Sequence, residues 1–137
     1  MVRYVRHAES PDQAAERYKH FQEHNPRQFR IVAGQGGEEV GWMAYWERTW
    51  NDELAFEIGW AVHPQFQDMS LQEAALEAIG SARSEGLHRY LLACPTVDNE
   101  RADALCRNTG FVLVEALELP SAPGVFQTCN VWRQDLS

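Results

Sequence analysis

Residues 54–85 constrain the fold most, because they predict a strand, a tight turn and a helix in direct succession. Alternate residues of the predicted strand 54–62 are large and apolar, as in a strand with one buried face. His63-Pro64 ends this strand, and a helix is predicted over about 70–85, closed by Gly86. A helix N-terminus carries about half a positive charge and suits a phosphate group. Most strand–turn–helix units are plain core, so this pattern alone is a weak functional signal.

The rest of the chain predicts further strands and helices with short connections. Strands are predicted at 2–6, 28–33, 40–46, 89–93, 111–119 and 125–133, and helices at about 10–24 and 98–108. Residues 48–52 are predicted to form a polar loop whose Trp50 faces a pocket, and Pro120 and Pro123 are assigned to the last loop. This order predicts an α/β fold, a central mixed sheet covered by helices, in a single domain spanning 1–137.

Composition limits the partners of the protein. A net charge of −8 disfavours nucleic acid, because neutralising phosphates requires a basic surface. The same charge either attracts a cationic amine or only keeps the surface solvated. No apolar run approaches the ~20 residues that span a bilayer, and no signal core follows the N-terminus, so we expect a cytoplasmic protein without membrane contact. Cys94, Cys106 and Cys129 lack a zinc-binding spacing, so we expect reduced thiols and no metal.

A second informative stretch runs from Asp98 to Phe111. Asn99 precedes a predicted helix and Gly110-Phe111 follows it, and each alone is an ordinary helix cap. Together with the first stretch, the order is a strand ending in Val-x-Pro-x-aromatic-Gln, an alanine-rich helix, a short strand and a helix between Asn and Gly-Phe. Over residues 28–119 this pattern resembles the GNAT superfamily of acyl-CoA-dependent N-acetyltransferases. The resemblance implies a mixed, mostly antiparallel sheet of six to seven strands with helices on both faces.

The resemblance further implies that acetyl-CoA is the cosubstrate and that two segments hold it. The backbone of Trp60, Ala61 and Val62 would pair with the pantetheine arm like an added strand. The pyrophosphate loop would comprise six consecutive residues, Gln67, Asp68, Met69, Ser70, Leu71 and Gln72.

This loop departs from the family pattern Arg/Gln-x-x-Gly-x-Gly/Ala. Gln67 matches the pattern, but Ser70 and Gln72 replace its two small residues, and Asp68 adds a negative charge. No lysine or arginine lies between His63 and Ala82 to offset that charge. Losing one charge-assisted hydrogen bond costs roughly 1.5–3 kcal/mol, which corresponds to about 10–100-fold weaker CoA binding.

The same resemblance suggests catalytic residues. Asn99 matches the pantetheine-contacting Asn, and Cys106 stands where the family commonly has a Tyr that protonates the departing CoA thiolate. A thiol can donate a proton, and a buried packing role is the alternative for Cys106. A base must deprotonate the attacking ammonium. Glu57 is the candidate base, with pairing to an arginine as its alternative role, whereas Cys94 occupies another base position of the family.

The sequence therefore predicts an N-acetyltransferase that moves an acetyl group from acetyl-CoA to an amine by direct attack on the thioester. The acceptor would be a small molecule or a peptide. The alternative is a catalytically silent binding or interaction domain of the same fold with weakened CoA binding. A homodimer paired through the last strands is a further possibility.

Overall fold

The computed structural model describes residues 27–33, 38–66 and 71–137. Within these residues it contains strands β1 (Gln28–Ala33), β2 (Glu38–Trp50), β3 (Glu53–Val62), β4 (Tyr90–Ala93), β5 (Val112–Ala122) and β6 (Val125–Asp135), and helices α1 (Gln72–Glu85) and α2 (Glu100–Asn108). Their order confirms the order predicted for residues 28–135. The strand predicted at 2–6 and the helix predicted at about 10–24 lie outside the described residues.

The strands form one sheet in the order β1-β2-β3-β4-β6-β5. β3 and β4 are parallel, and every other neighbouring pair is antiparallel. A parallel pair requires a crossover connection, which α1 supplies. β6 returns between β4 and β5, and this leaves β5 at the edge. The part of the sheet formed by the described residues therefore has six strands and is mixed and mostly antiparallel, as the resemblance implied.

The prediction of a polar loop at 48–52 is wrong. β2 continues through Trp50, which pairs with Glu53 of β3, and only two residues form the turn. These residues, Asn51 and Asp52, have φ values of 50° and 66°. Two left-handed residues match the twist of a hairpin and so form a tight connection that resembles a loop in sequence. Trp50 is thus a half-buried strand residue, not a loop residue at a pocket.

Pro120 is also misassigned, because it lies within β5 and pairs with Phe126. Proline cannot donate to a ladder, and an edge strand tolerates it. The ladder shifts register between Pro120 and Ala122, and Pro123-Gly124 alone forms the turn.

Both helices pack on one face of the sheet and share one apolar cluster. The helical members of this cluster are Ala75, Ala78, Ile79, Ala82, Ala102 and Cys106. They cover large residues of β2 and β3, including Met43, Tyr45, Phe56 and Ile58. The opposite face carries Trp42 and Ala44. No helix in the described part of the chain has the length and apolarity to cross a membrane.

Candidate functional site

The edge of β3 that faces β4 is paired over only part of its length. β4 pairs with Phe56–Ile58 and no further, whereas β3 continues to Val62. On its other side β3 pairs with β2 along its whole length. Within the described residues, the stretch 59–62 is therefore held from one side only.

The alternation of the β2–β3 ladder shows where the backbone groups of this stretch point. The His63 N–H donates to the Val40 carbonyl at 2.8 Å. Because bonded and non-bonded pairs alternate in an antiparallel ladder, Ala61 directs its N–H and C=O toward β2. Trp60 and Val62 direct theirs toward the opposite edge. Of the three residues predicted to pair with pantetheine, Trp60 and Val62 therefore offer backbone donors and acceptors there, and Ala61 does not.

The chain that follows β4 stays with β6 instead of following β3. The Val97 N–H donates to the Thr128 carbonyl at 3.1 Å, and the Asn130 N–H donates to the Pro95 carbonyl at 2.9 Å. The continuation of β4 and the end of β3 therefore diverge. We call the open edge of β3 at 59–62 the first wall of the resulting cleft.

The second wall is formed by residues 95–99 and the start of α2. Asn99 occupies the N-cap of this helix, and its side-chain oxygen accepts a hydrogen bond from the Ala102 N–H at 3.1 Å. The Asn99 N–H in turn donates to the Thr96 carbonyl at 3.0 Å. The N-cap role suggested by the sequence is therefore present, at the position where the resemblance expects contact with pantetheine.

The N-terminus of α1 lies just after the predicted pyrophosphate loop. Four of the six residues predicted to form this loop lie outside the described residues: Gln67, Asp68, Met69 and Ser70. Leu71 and Gln72 are the two that the structure describes. The helix begins at Gln72, and Leu71 occupies the N-cap position without a side-chain capping hydrogen bond. Leu71 packs against the main apolar cluster instead.

Glu57 is buried, with 1% of its side chain exposed, on the face opposite Phe56. Arg48 of β2 donates from Nη1 to Glu57 Oε1 at 2.9 Å. Sequence reasoning missed Arg48, because it assigned that residue to a loop, although it had named pairing with an arginine as the alternative role. The ion pair sets the Glu57 carboxyl against a guanidinium, and because Glu57 is buried, a proton would reach it through water.

Cys106 lies in the main apolar cluster and is 1% exposed. Burial raises the pKa of its thiol, the charge of Asp103 raises it further, and the charge of Arg107 opposes these effects. The thiol therefore stays protonated at neutral pH. Its position among core residues favours the packing role over that of an exposed proton donor.

Three residues that sequence reasoning did not single out join α2 to β6 next to the second wall. Asp103 of α2 accepts hydrogen bonds from the side chains of Asn130 and Trp132 on β6. Only the spacing of Asp103 from Asn99, one helical turn, hinted at a connection with the site. No group of three or more potential metal ligands occurs in the described residues.

A known protein family matches the part of the chain that forms this cleft. The sequence profile of a family described as an acetyltransferase (GNAT) domain matches residues 1–112. No curated protein matches the chain.

Solved structures share the fold at low sequence identity. An N-acetyltransferase from Staphylococcus aureus Mu50 has 17% identity and a TM-score of 0.71, with 94% of this chain and 79% of that chain covered. An acetyltransferase from Salmonella typhimurium, with its cofactor acetyl-CoA, has 18% identity and a TM-score of 0.69, covering 96% and 76%. A spermidine N-acetyltransferase chimera from Vibrio cholerae has 19% identity and a TM-score of 0.66, covering 93% and 78%.

Proposed function

Because the chain belongs to the GNAT family of acetyltransferases, we propose that it transfers an acetyl group from acetyl-CoA to an amine. The observation that carries the proposal is the open edge of β3, where Trp60 and Val62 direct backbone groups into the cleft. An unpaired strand edge is a template for an extended ligand with alternating donors and acceptors, and the pantetheine arm is such a ligand.

The groups around the cleft are of the chemical types that would bind acetyl-CoA. Trp60 and Val62 would hold pantetheine through the first wall, and Asn99 would meet it from the second. The N-terminus of α1, with Leu71 and Gln72, would face the diphosphate together with Gln67, Asp68, Met69 and Ser70. The N-cap residue Leu71 makes no side-chain capping hydrogen bond, and a helix N-terminus of this kind favours an anion.

In the proposed reaction the bound cosubstrate supplies an activated thioester. A backbone N–H on the open edge of β3 polarises the carbonyl and stabilises the developing oxyanion. Glu57, paired with Arg48, accepts the ammonium proton through water, and the free amine attacks. Cys106 occupies the family position for protonating the departing thiolate, and replacing Cys106 by Ala tests this role. An unchanged kcat would assign the residue to packing alone.

We propose a cationic amine as acceptor, carried by a small molecule or a peptide. The net charge of −8 favours approach of a cation and disfavours nucleic acid. A spermidine acetyltransferase chimera of the same fold is consistent with a polyamine-like acceptor. Three buried cysteines that form no disulfide are compatible with the reducing cytoplasm, which we retain as the proposed location.

The second candidate is a silent GNAT domain that binds a partner without catalysis. Its support is the sequence of the loop, with Asp68, Ser70 and Gln72 in place of small or neutral residues, and the burial of Cys106. In this case Glu57 and Arg48 would form a structural ion pair only.

Acetyl-CoA binding separates the two candidates. Isothermal calorimetry and thermal shift on the full chain should show saturable binding, and ligand at 100 times its Kd should stabilise the fold by about 2.7 kcal/mol. If the chain does not bind acetyl-CoA at millimolar concentration, the proposal that it is an enzyme is wrong.

Glu57→Gln then tests the base. General-base catalysis contributes roughly 10²–10⁴-fold, so we expect kcat with an amine acceptor to fall by that order. Glu53→Gln, an exposed glutamate on the same strand, is the matched control and should leave kcat unchanged. Equal turnover of wild type and Glu57→Gln across pH would reject the role.

A homodimer remains part of the proposal. β5 is the edge strand of the sheet, and Val112, Leu113 and Val114 at its start are 40% or more exposed. Such an edge favours association with another strand. Solution mass measurement decides the point, and a monomer at micromolar concentration would remove dimerisation through β5.

A further inference from the structure

One carboxylate joins α2 to β6 behind the second wall. Asp103 Oδ1 accepts from Trp132 Nε1 at 2.9 Å, and the Asn130 Nδ2 lies 3.3 and 3.2 Å from Asp103 Oδ1 and Oδ2. Hydrogen bonds to an ionised acceptor are stronger than neutral ones. Because the two donors come from different positions of β6, they fix both the rotation of α2 and its height along the strand.

Asn130 also holds the segment that precedes α2. Its main-chain N–H donates to the Pro95 carbonyl at 2.9 Å, while its side chain donates to Asp103. A single residue of β6 thus fastens the continuation of β4 with its backbone and α2 with its side chain. Both attachments keep the second wall with β6 and apart from β3.

Asp103 is linked directly to Asn99 as well. Its main-chain N–H donates to the Asn99 carbonyl at 3.1 Å, in the first turn of α2. A shift of Asp103 relative to β6 would therefore move Asn99, which belongs to the second wall. Asp103 thus lies one helical turn further along α2 than Asn99, the residue expected to contact pantetheine.

We propose that Asp103, paired with Asn130, is a positioning residue that sets the second wall, and with it Asn99, at the separation from β3 that acetyl-CoA requires. This inference rests on the proposed function. Small misplacements of binding groups weaken a bound state far more than they weaken a fold, so the effect of losing this pairing should appear chiefly in cosubstrate affinity.

The test is a pair of variants of the full chain. In Asp103→Asn the new amide oxygen can still accept from Trp132, but the charge is lost, and Asn130 can bond the new NH₂ group only by turning its own amide over. We expect the Kd and KM for acetyl-CoA to rise about tenfold, with kcat for a fixed amine within about twofold. Adding Asn130→Asp reverses donor and acceptor and restores the bond, so the double variant should return to within about threefold of wild type.

Glu115→Gln is the charge-matched control, because it removes one negative charge from an exposed position on the edge strand β5. It should leave the affinity unchanged. Amide hydrogen exchange without ligand provides a second readout. Exchange at Val97 and Asn99 should accelerate in Asp103→Asn and return to the wild-type rate in the double variant.

The outcomes separate the two proposals. A wild type that does not bind acetyl-CoA overturns the proposed function, and this inference with it. A wild type that binds, beside an Asp103→Asn variant of equal affinity and equal exchange, overturns the positioning role alone. If the single variant does not fold, the double variant decides: a folded double variant with wild-type affinity supports the role, and one with weak affinity overturns it.

Discussion

The two helix N-termini near the cleft differ in how their backbone donors are satisfied. In α2, the side-chain oxygen of Asn99 accepts from Ala102 N–H and closes the first turn. In α1, the N-cap position is Leu71, an apolar residue that makes no side-chain capping hydrogen bond. Within the described residues, the N-cap side chain thus closes the first turn of α2 and does not close that of α1. The N-terminus of α1 is therefore the better suited of the two to an anionic group such as a diphosphate.

A helix that lacks a cap at the cleft must be held elsewhere, and α1 is held at its other end. Arg27 donates from Nε and Nη2 to the Glu85 carboxylate at 2.9 and 2.8 Å, and the Tyr45 hydroxyl donates to the same carboxylate. Ser81 lies 2.9 Å from the Tyr45 hydroxyl. Gly86 then ends the helix in the left-handed conformation, at φ 66°.

The largest effect is expected where α1 is fastened. Glu85→Gln removes the negative charge of the carboxylate to which both Arg27 and Tyr45 donate. Because hydrogen bonds to charged groups contribute roughly 1.5–3 kcal/mol, the free energy of unfolding should fall by about 2 kcal/mol. Urea denaturation at pH 7 measures the change. Glu77→Gln, exposed on the same helix, is the control and should stay within about 0.5 kcal/mol. Equal losses in both variants would mean that α1 is not held by this contact.

The contribution of Glu85 should also depend on pH. Burial raises the pKa of this carboxyl, but the hydrogen bonds from Arg27 and Tyr45 and the charge of Arg27 outweigh burial, so its pKa lies below the ordinary 4.5. A lowered pKa in the folded state gives stability that is complete above pH 4.5 and is lost as the pH falls through the folded value. The difference in free energy of unfolding between wild type and Glu85→Gln should therefore shrink below pH 4.5. Urea denaturation at a series of acidic pH values measures it. A constant difference down to pH 2 would contradict it.

An intermediate effect is expected at the capped N-terminus of α2. Asn99→Ala removes the cap and should cost about 1 kcal/mol, whereas Asn99→Asp keeps a capping oxygen and should be nearly neutral. Acetyl-CoA affinity should fall in both variants, because neither keeps the side-chain NH₂ group. Denaturation and calorimetry on the same samples separate the two roles. If Asn99→Asp binds like wild type, Asn99 acts as a cap only.

The contrast between the two N-termini also shows what sequence reasoning could reach. Periodicity and end signals located β3, α1 and α2, because these depend on neighbours along the chain. The register was not available, so the sequence assigned Ala61 to the open edge together with Trp60 and Val62.

Contacts between distant strands were the other gap. The two-residue turn at Asn51-Asp52 has the composition of a loop, so the extension of β2 went unseen and Arg48 was not placed opposite Ala55, diagonal to Glu57. Asp103 and its donors on β6 are 27 or more residues apart in the chain. An amphipathic pattern indicates which face a side chain occupies, and it does not identify the partner that will be met there.

The smallest effect should arise at the uncapped N-terminus of α1, and it should have opposite signs for stability and binding. Glu73 is the acidic residue of the first turn. Its charge stabilises the positive end of the helix dipole, so Glu73→Gln should cost about 0.5 kcal/mol in denaturation. The same charge repels a diphosphate, so acetyl-CoA affinity in calorimetry should improve about two- to threefold at low salt and lose this gain at high salt. Glu77→Gln, one turn further along, should change neither quantity. Weaker binding by Glu73→Gln would place the diphosphate away from this N-terminus, and the two helix ends would then differ in capping without differing in function.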